Sequence, residues 1–343
     1  MSKQPTYTIH FLALLLVLFI CLGLNISFGS VSITVIDTLK VIFGSNIGDS
    51  SNSYIIWNYR IPKALTAILV GSGLALSGLL MQTLFRNPLA GPYVLGISSG
   101  ASLGAALLIM GSSLFPGFIT FSAFNDIALA VASSVGSFLV LLIVLTVAVK
   151  VKDTMALLII GLMFGSITGA IVSVLSYFTK AEKLKQYIFW EFGSLGNLTW
   201  KQLSILCFCT CIGILLSILS IKSLNAFLLG ENYAKSLGIH LKNSRYTIII
   251  ATGLLAGCIT AFAGPIAFIG LAVPHLTRQL FHTTDHKILI PAVLCCGAIL
   301  MLICDTIAQL PGSMSVLPIN AITSIFGAPV VIWLLVRKNK MMF

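Results

Sequence analysis

Long apolar runs alternate with short polar breaks along the chain, and the runs have the length of membrane helices. IALAVASSVGSFLVLLIVLTVAV, residues 127–149, runs 23 residues without a charge, and 64–85 gives another 22. At about 1.5 Å per residue, each is long enough to cross a hydrocarbon layer of about 30 Å. The same reading predicts ten spans, near 11–29, 62–85, 93–113, 127–149, 155–178, 203–221, 246–263, 266–281, 288–308 and 318–336. The eighth is short and carries Pro274, His275 and Arg278. The expected fold is all-α and polytopic, one transmembrane domain over 1–343 with a longer polar segment, 222–245, inside it.

Composition supports this reading. Of 343 residues, 58% are apolar and 8% charged, and a mean hydropathy of +1.06 is beyond what a soluble surface tolerates. The net charge of +11 does not point to nucleic acid, because the basic residues are spread over short loops with no single patch. With the N-terminus inside, 13 of the 20 Lys and Arg fall in cytosolic loops, which predicts both termini in the cytoplasm of a multi-pass protein. Only Lys3 precedes the first apolar run and LNISFGS after it offers no cleavage site, so that run reads as a retained helix.

The sharpest break is LFRNPLAGPYVLGISSG, residues 84–100. Lipid cannot satisfy free backbone donors and acceptors, so a chain leaves the hydrocarbon where its helix ends unless protein supplies partners. Pro88 and Pro92 end the second span, with Arg86 and Asn87 at its cytosolic exit. Gly96, Gly100 and Gly104 then repeat every four residues, as do Gly161, Gly165 and Gly169 in the fifth span, a pattern for close helix packing. AGPYVLG at 90–96 and AGPIAFIG at 263–270 begin alike but fall on opposite sides, as an inverted repeat would place them.

Candidate chemistry is sparse. Asp305 is the one carboxylate inside an expected span, toward its outer end, and no G-x-x-x-x-G-K-[ST] loop is present. Neither an ion-coupling device nor a nucleotide site is legible, so energy for transport is expected from another subunit. The eight cysteines lie in spans without a C-x-x-C spacing and read as small apolar fillers. His282, Asp285 and His286 have the i, i+4 spacing of a metal pair if helical, but their place on a short turn beside Lys287 favours a solvated loop, and no metal site is expected. Met81, Tyr93, Met163 and Met314 are candidates for lining a cavity, with packing as the competing account. The 222–245 segment, cut by Gly230 and Gly238, puts Ala234 and Leu237 on one side and Glu231 with Lys235 at i, i+4. It reads either as a helix for a partner's groove or as one resting on the bilayer.

Four stretches resemble the FecCD-type permease subunits of ABC importers for ferric siderophores, haem and cobalamin. These are Arg60 to Ala106, LGENYAKSLGI at 229–239, AGPIAFIGLAVPHLTRQL at 263–280 and LPINAITSIFGAPVVIWLL at 317–335. The resemblance implies a type II importer fold and a homodimer, or a pair with a close paralogue, in the bacterial inner membrane. It also implies two cytosolic ATPase subunits that hold ATP and Mg, and a periplasmic or lipid-anchored binding protein. This chain would bind no cofactor and catalyse no reaction. The resemblance implies binding-protein docking at Arg60, Lys63 and Gln309, the last standing where a basic residue is expected. It implies ATPase coupling through Glu231, Ala234, Leu237 and Gly238, and a cytosolic gate at Asn87, Leu89 and Thr154. A zinc or manganese importer permease and an ion-coupled secondary transporter are the alternatives.

Overall fold

The structure is a computed structural model that describes residues 7–31, 33–42, 44, 50–111, 126–150, 154–310 and 315–336. Its regular elements are helical. Helix α1, Thr8–Ser27, is followed by the short α2, Val35–Ile42, and α3, Ser50–Ile55. A π-helical turn, Ile56–Arg60, joins α3 to α4, Ile61–Phe85, so that 50–85 is one continuous rod with Pro62 in the first turn of α4. Next come α5, Ile97–Met110; α6, Asp126–Lys150; α7, Thr154–Tyr177; α8, Ala181–Glu191; and α9, Trp200–Leu219. The polar segment holds α10, Ile221–Leu229, and α11, Glu231–Ser236. Helices α12, Leu241–Ala263; α13, Ile269–Phe281; α14, His286–Ala308; and α15, Ile319–Val336, complete the chain.

Each of the ten expected spans coincides with a helix, and seven helical stretches are long and apolar enough to cross a bilayer. The third and eighth spans differ from expectation. Helices α5 and α13 have 14 and 13 residues, about 20 Å each, and neither crosses a 30 Å layer alone. Both begin inside the bundle. The carbonyl of Ile97 accepts from Ser137, halfway along α6, and Gly270 packs on Gly78, within α4. Non-α-helical backbone at 86–96 and 264–268 covers the remaining depth, and each stretch turns into its helix through a left-handed residue, Gly96 at φ 72° and Phe268 at φ 67°. The two stretches meet where Ile266 N–H donates to the Tyr93 hydroxyl at 3.2 Å and that hydroxyl donates to Ile266 O. Backbone of this kind is tolerated at membrane depth because protein encloses it. The order long helix, unwound stretch, short helix, two further helices runs from 61 to 177 and again from 241 to 336.

Helix α4 is the hub, buried over most of its length among α9, α12, α13 and α14. Glycines set these separations. A Cβ on Gly71 would stand 2.6 Å from Met301 Cβ, and one on Gly297 would stand 2.7 Å from Ala75 Cβ. Among the glycines singled out in the sequence, Gly100 faces the carbonyl of Gly136 and Gly104 that of Ala132, both on α6, while Gly96 faces the Gly161 carbonyl on α7. Among the described residues, Gly165 approaches only the Ser99 hydroxyl and Gly169 has nothing within 4 Å, so packing against them does not explain Gly169. Helix α7 is, after α1, the least sheathed of the long helices, exposing Ile159, Met163, Ile167, Ile171 and Val174 along one face.

Candidate functional site

Polar side chains gather at the two ends of the bundle. At one end, Asp305 in the last turn of α14 is 5% exposed and pairs with Lys63 Nζ at 3.2 Å, the lysine being 18% exposed. Its other oxygen accepts from Asn25 Nδ2 at 2.8 Å and Gln309 Nε2 at 2.9 Å. The carboxylate expected from the sequence to stand alone is therefore held by three side chains from α1, α4 and the end of α14. Arg60, expected as an outward docking charge, turns inward and is 8% exposed. It donates to the carbonyls of Ile26 and Ser27 at 2.8 and 2.6 Å and to that of Val31. The carbonyls of Ile26 and Ser27 end α1 without intrahelical partners, and a cation suits that terminus. The π turn before α4 directs the arginine there, and Gly29 leaves room for the guanidinium. Lys63, Gln309, Asn197, Tyr59 and Leu317 line a cleft of about 510 Å³ at this end.

At the opposite end stand the segment around α10 and α11 and the break after α4. Glu231 pairs with Arg245 on α12, where the sequence suggested Lys235. Ala234 is fully buried while Leu237 is 58% exposed, so these two do not share a face. The exposed large apolar side chains are Leu229, Tyr233 and Leu237, four apart; Leu229 and Tyr233 were missed because Gly230 hides their common spacing. Gly230 and Gly238 adopt positive φ, 109° and 78°, which glycine accommodates without the Cβ clash of other residues. Asn87 Oδ1 accepts from the Leu89 amide at 2.9 Å, an Asx turn, and Leu89 is exposed. Thr154 opens α7, and its side chain lies outside the described residues, as does Met314. Met81 is buried in the core and Met163 lies on the open face of α7.

The cluster read as a solvated loop is a correction. His282 ends α13 and His286 opens α14, so the pair is not i, i+4 on one helix, and His286 is fully buried. Asp285 caps α14 by accepting from the Lys287 amide at 3.0 Å and also accepts from Asn225 Nδ2 at 2.8 Å. Burial pushes the Asp285 carboxyl up, but the Lys287 amide, the Asn225 side chain and the Lys287 charge outweigh it and hold it below the usual carboxylate range. Asn225 Oδ1 accepts from both His286 N and Nδ1, at 2.9 and 2.7 Å, and Nε2 faces the Thr83 hydroxyl of α4 at 2.8 Å. Arg278, carried by the short eighth span, is buried in α13 and donates to Gln82 Oε1 at 2.8 Å. Gln82 Nε2 in turn reaches the Leu271 carbonyl at 3.1 Å.

Apolar helices of membrane length, two shorter ones that begin inside the bundle, and polar networks near both ends define a multi-pass membrane transport protein. The pattern of the FecCD transport family matches residues 14–337, and the chain belongs to that family. It is 39% identical over 292 residues to the vitamin B12 import system permease protein BtuC of Klebsiella pneumoniae subsp. pneumoniae, with 83% of each chain covered. The protein of the same description from Salmonella typhimurium is 38% identical over 286 residues, 83% of this chain and 84% of its own. Among solved structures, an inward-facing metal-chelate type ABC transporter superposes with a TM-score of 0.84 at 30% identity, covering 96% of this chain and 100% of the other. PsaBC from Streptococcus pneumoniae in complex with Fab shares the fold, with a TM-score of 0.54 at 16% identity over 80% of this chain and 90% of its own. The chain is thus the permease subunit of a type II ABC importer, a transport subunit that works with ATPase and binding-protein partners.

Proposed function

We propose that two copies of this permease carry a metal chelate or cobalamin across the cytoplasmic membrane by alternating access, driven by ATP bound with Mg on two separate ATPase subunits. The names of the similar proteins support this substrate class, with cobalamin favoured by the B12 permeases. The Glu231 end, with both termini, faces the cytoplasm. The reading rests on one observation: Leu229, Tyr233 and Leu237 are exposed on short helices whose other side is fixed by buried Ala234 and by the Glu231–Arg245 pair. A preformed apolar row of this kind fits a partner's groove. Asn87, Leu89 and Thr154 close the pathway at that end. The uncovered face of α7, including Gly169, is where a second copy or lipid packs.

The Asp305 end receives the binding protein. Lys63 and Gln309 border its cleft, while Arg60 shapes the rim by holding the end of α1. An acidic side chain on the partner competes there with Asp305 for Lys63, so docking contributes orientation more than affinity.

Leu237→Asp tests the cytosolic half. Loss of an exposed anchor costs about 2 kcal/mol of association, roughly thirtyfold, with unchanged permease yield and thermal stability. Co-purification of the ATPase at wild-type level would sink the assignment. Proteoliposomes holding the full complex are expected to take up cyanocobalamin only with ATP inside and binding protein outside; uptake of a ferric hydroxamate instead would move the substrate within the class.

A further inference from the structure

Four helices converge on one buried polar chain at the Glu231 end. Asn225 lies on α10, one turn before Leu229, the first of the exposed residues proposed to meet the ATPase, and both ends of its amide are committed. Its nitrogen faces the acceptor-only carboxylate of Asp285 at 2.8 Å, so its oxygen faces the two donors of His286, the backbone N–H at 2.9 Å and Nδ1 at 2.7 Å. With the proton on Nδ1, the neutral imidazole presents Nε2 as an acceptor to the Thr83 hydroxyl across 2.8 Å, and that hydroxyl shares its one proton between Nε2 and the Leu79 carbonyl of its own helix at 2.9 Å. His286 and Thr83 are fully buried. The preceding residue of α4, Gln82, holds Arg278 and the Leu271 carbonyl, which places it on both the body and the start of α13.

We propose that Asn225, His286 and Thr83 form a rigid joint that carries displacement of the 222–245 segment into α14 and α4, and through Gln82 to the start of α13 inside the membrane. His286 is the positioning residue. The inference rests on the coupling role proposed above for that segment. Apolar contacts slide, and α10 makes these through Leu224, Ala226 and Phe227. Buried hydrogen bonds are directional and leave an unsatisfied group when broken. Movement of α10 therefore either draws α14 and α4 with it or exposes the polar chain.

Hydrogen–deuterium exchange on the whole complex in nanodiscs, with and without ATP and vanadate, tests this without the transported substrate. In the wild type, nucleotide is expected to change exchange at both 229–238 and 264–281. In Asn225→Ala and in Thr83→Val the response at 229–238 persists while that at 264–281 falls about tenfold; Thr83→Ser, which keeps the hydroxyl, restores it. A chain broken once is broken, so the double variant is no worse than either single one. The joint is overturned if the 264–281 response survives both single variants, if the two losses multiply, or if the wild type responds at 229–238 alone. Failure of the underlying reading looks different: nucleotide then leaves 229–238 of the wild type unchanged.

Discussion

Gly78→Ala is expected to abolish accumulation of the folded permease, whereas Gly169→Ala leaves it untouched. A Cβ on Gly78 would fall on the carbonyl oxygen of Gly270, 2.5 Å from its carbon and 2.6 Å from its Cα. The obstacle is backbone, which no rotamer change removes, and it stands where α13 begins inside the bundle. Overpacking ordinarily costs about 1–3 kcal/mol and more where the backbone must move. Against it stands about 1 kcal/mol gained by replacing a mid-helix glycine with alanine, so the net sign is destabilising at Gly78. At Gly169 no atom of the described residues lies within 4 Å, so within the subunit only the gain remains. Size-exclusion profiles of fluorescent fusions in detergent, before and after heating, separate the two. A monodisperse Gly78→Ala peak at wild-type height would refute the packing of α4 on α13.

Lys63→Met is expected to be the most damaging change among the polar residues at the Asp305 end. It leaves a carboxylate that is 5% exposed with two amides but no cation, and stranding one member of a buried pair costs about 3–5 kcal/mol. Asp305→Asn is milder, because the lysine is the more exposed partner and the amide keeps a hydrogen-bonding oxygen. In the double variant Lys63→Met, Asp305→Leu most of the loss is recovered. Thermal unfolding of the purified variants gives the cycle; a Lys63→Met protein as stable as the wild type would show that the ion pair is not buried in solution. Reversing Arg60 and Lys63 to glutamate therefore tests folding before it tests docking.

The ten apolar runs were legible because burial in lipid writes itself as length without charge, and every run is a helix. The halving of the third and eighth was not, because Pro92 and Pro265 mark where a helix ends without saying how deep in the layer it restarts. The echo between 90–96 and 263–270 was the available signal, and it marks both unwound stretches. Side-chain direction was the other loss. Arg60 and His286 read as surface residues because charge and loop position are surface signals, and their partners are 29–34 and 61 or more residues away. Glu231 was matched to Lys235 by helical spacing, but α11 has only six residues and Arg245 reaches in from the next helix. Asp305 was noticed as the odd carboxylate, and that oddness was the trace of its network.

The π turn at 56–60 makes spacing, more than composition, the guarded property of that stretch. Trp57 and Tyr59 are exposed, so exchanges there are absorbed. Removing one residue would tighten the coil and swing everything ahead of it by about 100° about the rod. The chain leading back to the first membrane crossing would then be misphased with the guanidinium that plugs its end, and that crossing would lose its fastening to the rest of the subunit.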